Sequence, residues 1–370
     1  MKQHHLFVFC FLVVGLFNSC VEEITINNQP TADFLVVDGI LNAGGNAESS
    51  DLVVRLSTST PTSTINTPLP KAIVEVLVND RDVYPLVEQE AGAYYLLNKT
   101  IFKVGSTYKL RFQANGQSYE STAETLVDST AIVKTYTEVN PSGGTSKAFE
   151  VFVDVNDPPQ KKNFYRWSIT QWEQLAYCLY CYKPSKSAEY CYEDITPTDY
   201  TLLSRNPACD GDCYAILRSS PNNAISDIFF DGKSLIKKPI GYVSFIFSTG
   251  CLVEVQQSSL TPQYFNFLEI LKSQAENTGG LADTPAAVLV GNIKNINKSS
   301  QPILGYFSVT NTTKRRFWLD RTPAAIAGIR SAISLNPPLV PPTPTPLNWY
   351  PVPCKPSRIR TNVKPLGWKN

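Results

Sequence analysis

Between Asp33 and about Thr125 the chain repeats short apolar or alternating runs separated by turn residues. Phe34–Leu41, Leu52–Ser57, Ala72–Val78, Tyr94–Leu97, Thr107–Ala114 and Gln117–Thr122 read as strands. The run from Ala72 to Val78 carries the apolar alternation of a half-buried strand. Asn115-Gly116 suits a tight type I′ hairpin, because both central residues of that turn need positive φ. A second turn is expected at Asn79–Asp82. Such spacing predicts an immunoglobulin-like β-sandwich over residues 33–126.

A second β-rich unit is expected over 127–322, with strands at Ala148–Val155, Phe164–Gln171, Ile228–Phe230, Ile240–Phe247, Cys251–Gln257, Ala287–Val290, Leu304–Val309 and Arg316–Leu319. Residues 172–215 are polar, tyrosine-rich and crowded with cysteine, which reads as an insertion on the β scaffold. One helix is predicted, over 262–277. Thr261 can cap it, Pro262 suits its first position and Gly279-Gly280 ends it. Its stripe of Tyr264, Phe267, Leu268, Leu271 and Ala275 is expected to face the core. Residues 323–370 form a proline-rich tail, expected to wrap the body or project from it. The fold class is therefore mostly β: a sandwich, then a β-rich domain with one helix and a disulfide-rich insertion.

The first residues change the picture from fold to location. Lys2, an apolar run from Leu6 to Phe17, and then Asn18-Ser19-Cys20 have the layout of a secretory leader, residues 1–19. The run is too short to span a bilayer, which takes roughly 20 apolar residues. Leu16-Phe17-Asn18-Ser19-Cys20 resembles a loose lipobox, so Cys20 is expected to carry acyl chains such as palmitate, with 20–32 as a tether. Glu22 and Glu23 resemble a signal for display on the cell exterior.

Composition then removes functions. Without the leader the chain has 32 basic and 32 acidic residues, which offers no electrostatic footprint for nucleic acid. His4 and His5 both lie in the leader, so a mature chain has no imidazole for a triad or for a zinc site. Carboxylate-pair chemistry stays open, but no pair sits in a signature. No catalytic residue, metal site or cofactor is nominated.

Seven cysteines follow Cys20. In an exported protein Cys178, Cys181, Cys191, Cys209, Cys213 and Cys251 read first as disulfide candidates, and the odd total leaves one thiol over. Cys354 stands farthest off. The spacings Cys178-x-x-Cys181 and Cys209-x-x-x-Cys213 also suit metal ligands, a weaker reading outside the cytoplasm. Trp172, Tyr177, Tyr180, Tyr182, Tyr190 and Tyr192 form a candidate ligand surface, since these side chains pair a large apolar face with a polar tip. Packing inside the insertion would account for them equally well.

Tyr264-Phe265-Asn266-Phe267-Leu268, Glu276 to Leu281, Pro285, Gly291-Asn292-Ile293 and Leu304-Gly305-Tyr306-Phe307, with the opening Phe34 to Gly39, together resemble the hallmark of the DUF4249 family. The resemblance covers nearly the whole mature chain. It implies a Bacteroidota outer-membrane lipoprotein of unassigned activity, commonly encoded beside TonB-dependent transporters, and it brings no catalytic residues with it. The expectation is a surface-exposed, non-enzymatic accessory or ligand-capture partner of such a transporter. The alternative is a structural or adhesive protein that binds an extracellular polymer or protein.

Overall fold

The computed structural model describes residues 33–44, 51–60, 65–175, 178, 180–182, 190–192, 209–219, 223–276, 291–297, 302–331 and 352–369. The fold is mostly β. Its principal strands are β1 (Phe34–Ala43), β2 (Val53–Ser59), β3 (Ile73–Val78), β4 (Thr107–Ala114), β5 (Gln117–Ser121), β6 (Ile132–Val139), β7 (Phe149–Asn156), β8 (Phe164–Gln174), β9 (Tyr214–Ser219), β10 (Ser234–Val243), β11 (Cys251–Ser259) and β12 (Ile303–Leu319). Helix α1 (Pro262–Glu276) follows β11, and a short α2 (Thr322–Ile326) follows β12.

Among the described residues the largest sheet has eleven strands, with β9-β8-β11-β12-β1-β2 along its middle. Strand β12 is its spine. Residues 303–311 pair parallel with β1, and 311–319 pair antiparallel with β11, so one strand changes partners at Asn311. The hydrophobic pattern splits this strand into Leu304–Val309 and Arg316–Leu319. The polar run between them, Thr310 to Arg315, carries no apolar signal, yet threonine suits an extended backbone and each residue has a ladder partner.

A six-stranded sheet containing β5-β4-β3 and a three-stranded sheet, β6-β7-β10, pack on one face of the large sheet. Two cores result. Val37, Leu41, Val54 and Phe307 meet Val76, Leu110 and Phe112 in the first. Trp167, Ile169, Val253 and Val255 meet Val151, Val153 and Ile240 in the second. Strands from 33–126 thus do face one another across a core, but that core also takes Ile293, Ile303 and Val309. The 126/127 boundary expected from the sequence therefore falls across a continuous sheet. Parallel pairing of β1 with a strand 268 positions later has no local signature.

Local chemistry explains several joints. Asn115 and Gly116 have φ of 51° and 70°, the left-handed pair that the hairpin between β4 and β5 requires. Gly305 sits at φ +93°, and a Cβ there would stand 1.9 Å from the Val37 carbonyl oxygen, so the close approach of β1 and β12 demands glycine. Helix α1 starts as expected: Thr261 Oγ1 accepts from the Tyr264 amide at 3.2 Å, and Pro262 occupies the first turn. Its stripe packs only in part. Tyr264 and Leu268 are buried, whereas Leu271 is 40% exposed and Ala275 is exposed, because α1 meets the sheet through its first half.

The proline-rich tail is described only at its two ends, and residues 332–351 fall outside the described residues. Residues 352–369 return to the body, where Val352–Pro353 pairs with Cys209–Asp210, Arg360–Thr361 pairs with β9, and Trp368 packs edge-to-face against Tyr214 and Trp318.

Candidate functional site

Among the described residues, the face of the large sheet opposite the two cores is covered at two places. At one end α1 lays Tyr264 and Leu268 against Tyr306 and Phe164. At the other, Trp368 closes over Trp172, Tyr214, Leu252 and Trp318. Between these covers lies a groove of about 220 Å³, lined by Asn42, Asp51, Ser168, Ile169, Thr170, Trp172, Arg218, Ser219, Glu254, Gln256 and Lys314.

Strand alternation builds this lining. On β8, Trp167, Ile169, Gln171 and Glu173 belong to the core side, while Arg166, Ser168, Thr170 and Trp172 project to the groove side. On β11 and β12 the same alternation presents Glu254 and Gln256 opposite Arg316 and Lys314. Two ion pairs order the floor: Lys314 Nζ to Asp51 Oδ2 at 2.6 Å and Arg316 Nε to Glu254 Oε2 at 2.6 Å. Gln256 Nε2 donates to the second Glu254 oxygen at 2.8 Å. The Arg316 guanidinium lies 5.2 Å from the Trp172 ring centre, a cation–π contact.

Three other polar clusters are structural. Glu173, wholly buried on the core side, is clamped by Arg321, whose guanidinium also donates to the carbonyls of Phe247 at 2.8 Å, Ser244 at 2.9 Å and Thr249 at 3.1 Å. Burial raises the Glu173 carboxyl above its ordinary value, against the opposing pull of Arg321. Glu124 lies where β11 gives way to α1, and accepts from Thr261 at 2.5 Å, Tyr306 at 2.7 Å and Ser308 at 3.2 Å. Burial raises its carboxyl too, and those hydroxyls pull it back. Asp157, Asp227 and Asp231 converge at one end of β8, where each accepts a backbone amide from a neighbouring loop and fixes its course.

The cysteines and aromatic residues nominated by the sequence fall into several places. Cys178 bonds to Cys209 and Cys213 bonds to Cys354, so Cys354, the outlier in sequence, is the residue that pins the tail. Cys251 is corrected: it is a free, buried thiol on the core side of β11. It sits in the ordered sheet rather than in the insertion, and burial and the nearby Glu173 charge push its thiol far up, as for an inert cysteine. Cys181 and Cys191 are Cα partners in a short two-stranded antiparallel ladder that also pairs Tyr180 with Tyr192 and Tyr182 with Tyr190. Tyr177, Cys20 and the expected strand Ala287–Val290 fall outside the described residues. Trp172 belongs to β8, not to the insertion, and is only 9% exposed, so it serves as a wall of the groove rather than an open platform.

Sequence reasoning missed Asp51, Ser168, Thr170, Gln256 and Lys314. The sequence carries only the alternation Arg166-Trp167-Ser168-Ile169-Thr170, which marks a strand with one polar face; that this face is also largely buried is visible only in the structure.

A family model described as Domain of unknown function (DUF4249) matches residues 21–316. No curated protein matches the chain.

Proposed function

The chain belongs to the DUF4249 family, and from that premise we propose that it is a surface-exposed outer-membrane lipoprotein, anchored through acylated Cys20, that captures a ligand as the non-enzymatic accessory of a TonB-dependent transporter. The observation that carries the capture reading is the groove, a polar recess built on rigid strands and left open between α1 and the C-terminal segment. Its two acids, Asp51 and Glu254, each already hold a basic partner, an arrangement suited to holding a ligand rather than to moving protons. An acyl chain contributes about 0.8 kcal/mol per buried methylene, so a multiply acylated Cys20 would keep the domain at the bilayer.

Mild-detergent purification of the tagged protein from its native envelope, with mass spectrometry of the proteins that co-purify, tests this reading. A stoichiometric outer-membrane barrel is the expected result. A lone lipoprotein, or one that brings down an extracellular polymer, would overturn it in favour of the adhesive reading. One observation favours that alternative: Ile228 and Phe229, 68% and 89% exposed, form an apolar pair at a loop tip held by the three aspartates, the kind of knob that anchors a protein contact.

A further inference from the structure

We infer that the groove takes a neutral, polyhydroxylated ligand about the size of one sugar ring; this rests on the reading of the groove as a capture site. Size sets the first bound. Pockets for drug-sized ligands run to roughly 300–1,000 Å³, and this recess is about 220 Å³.

Charge sets the second. The lining carries two acids, Asp51 and Glu254, and two bases, Lys314 and Arg218. Asp51 and Glu254 are held at 2.6 Å by Lys314 and Arg316, and Arg218 donates to the Arg358 carbonyl. An incoming anion or cation would have to dismantle a pair in a partly dry site, whereas a neutral ligand leaves all of them standing.

The third argument is the set of hydrogen-bonding groups left over. Thr170 is only 8% exposed, yet its hydroxyl has no hydrogen-bond partner among the described residues and is not sealed from solvent, so it opens on the groove. The Ser168 hydroxyl beside it is likewise unengaged among those residues, and Gln256, having given its amide hydrogen to Glu254, keeps its carbonyl oxygen. Two hydroxyls able both to donate and to accept, together with an amide acceptor, complement a row of ligand hydroxyls. Trp172 supplies an apolar wall for the carbon face of such a ring.

The test is ligand-observed NMR and calorimetry on the full mature chain, with neutral monosaccharides and their alditols as probes and a zwitterionic dipeptide and inorganic phosphate as comparators. Saturable binding of a neutral probe is expected, with little change between low and high salt, since no net charge is matched. Thr170→Val and Ser168→Ala are each expected to weaken it about three- to ten-fold, the worth of one neutral hydrogen bond, without moving the unfolding midpoint of Ser168→Ala. The inference is overturned if no neutral probe saturates, if the dipeptide or phosphate binds in its place, or if both variants bind as the parent does. A barrel that co-purifies with a chain unable to bind neutral probes would sink this inference alone. Sugar binding by a chain that purifies without a barrel would sink only the transporter reading.

Discussion

The two faces of the large sheet bury their side chains by different means. On one face Trp167, Ile169, Val253 and Val255 disappear beneath the three-stranded sheet, and the charge pair Glu173 with Arg321 is sealed and met by three backbone carbonyls. On the other, Glu254, Asp51 and Thr170 are also buried, but they line a recess, the two acids held by Arg316 and Lys314. The difference teaches that burial alone does not separate core from site. What distinguishes them is whether polar groups are sealed from solvent, as the Glu173–Arg321 pair is even with Arg321 Nε unpartnered among the described residues, or leave valences pointing into open space.

The sharpest way to test that distinction is to remove one cation from each face. Arg321→Met strands a wholly buried carboxylate and is expected to lower the stability measured by urea unfolding by about 3–5 kcal/mol. Lys314→Met removes the cation that faces Asp51 beside the open groove and is expected to cost about 1–3 kcal/mol. Equal losses would show that the faces do not differ in the way described.

An effect between those two is expected from the cover of the open face. Replacing Cys213 and Cys354 together by serine removes a cross-link between positions 141 apart, expected to cost about 2–4 kcal/mol. It also frees the segment that lays Trp368 over Trp318 and Tyr214, so tryptophan emission should move to the red before global unfolding. An unchanged spectrum would mean that the segment stays docked without its bond.

The smallest effect belongs to the junction. Burial raises the folded-state carboxyl of Glu124 above its ordinary 4.5, so the folded protein holds that proton more tightly than the unfolded chain does. Its favourable contribution is therefore full below pH of about 4.5 and declines as pH rises toward the folded-state value. Glu124→Gln removes that titration, so the variant's stability relative to the parent should increase between about pH 4 and 8. A constant difference across that range in thermal unfolding would refute the raised carboxyl.

Much of the architecture was legible because it is written locally. Alternation marked β3, β4 and β5; Asn115-Gly116 marked the hairpin of the last two; Thr261-Pro262 marked the start of α1. The groove was not legible, because its members come from β1, the segment before β2, β8, β9, β11 and β12, and are neighbours only once those strands lie side by side. The polar run Thr310 to Lys314 looked like an interruption since the residues that engage it, Asn42, Asp51 and Ser258, are far off in the chain.

By itself the sequence determined the leader-like opening, the lipobox-like Cys20, the mostly β class, the one long helix and the family resemblance, because each depends on residue type and near-neighbour spacing. The tertiary structure alone decided that Cys251 is free while Cys354 is bonded, that the N-terminal strands and β12 share one sheet, and that, among the described residues, a polar recess stands open on one face. Those outcomes depend on which distant segments meet, and contacts between segments so far apart in the chain leave no periodicity from which they could be read.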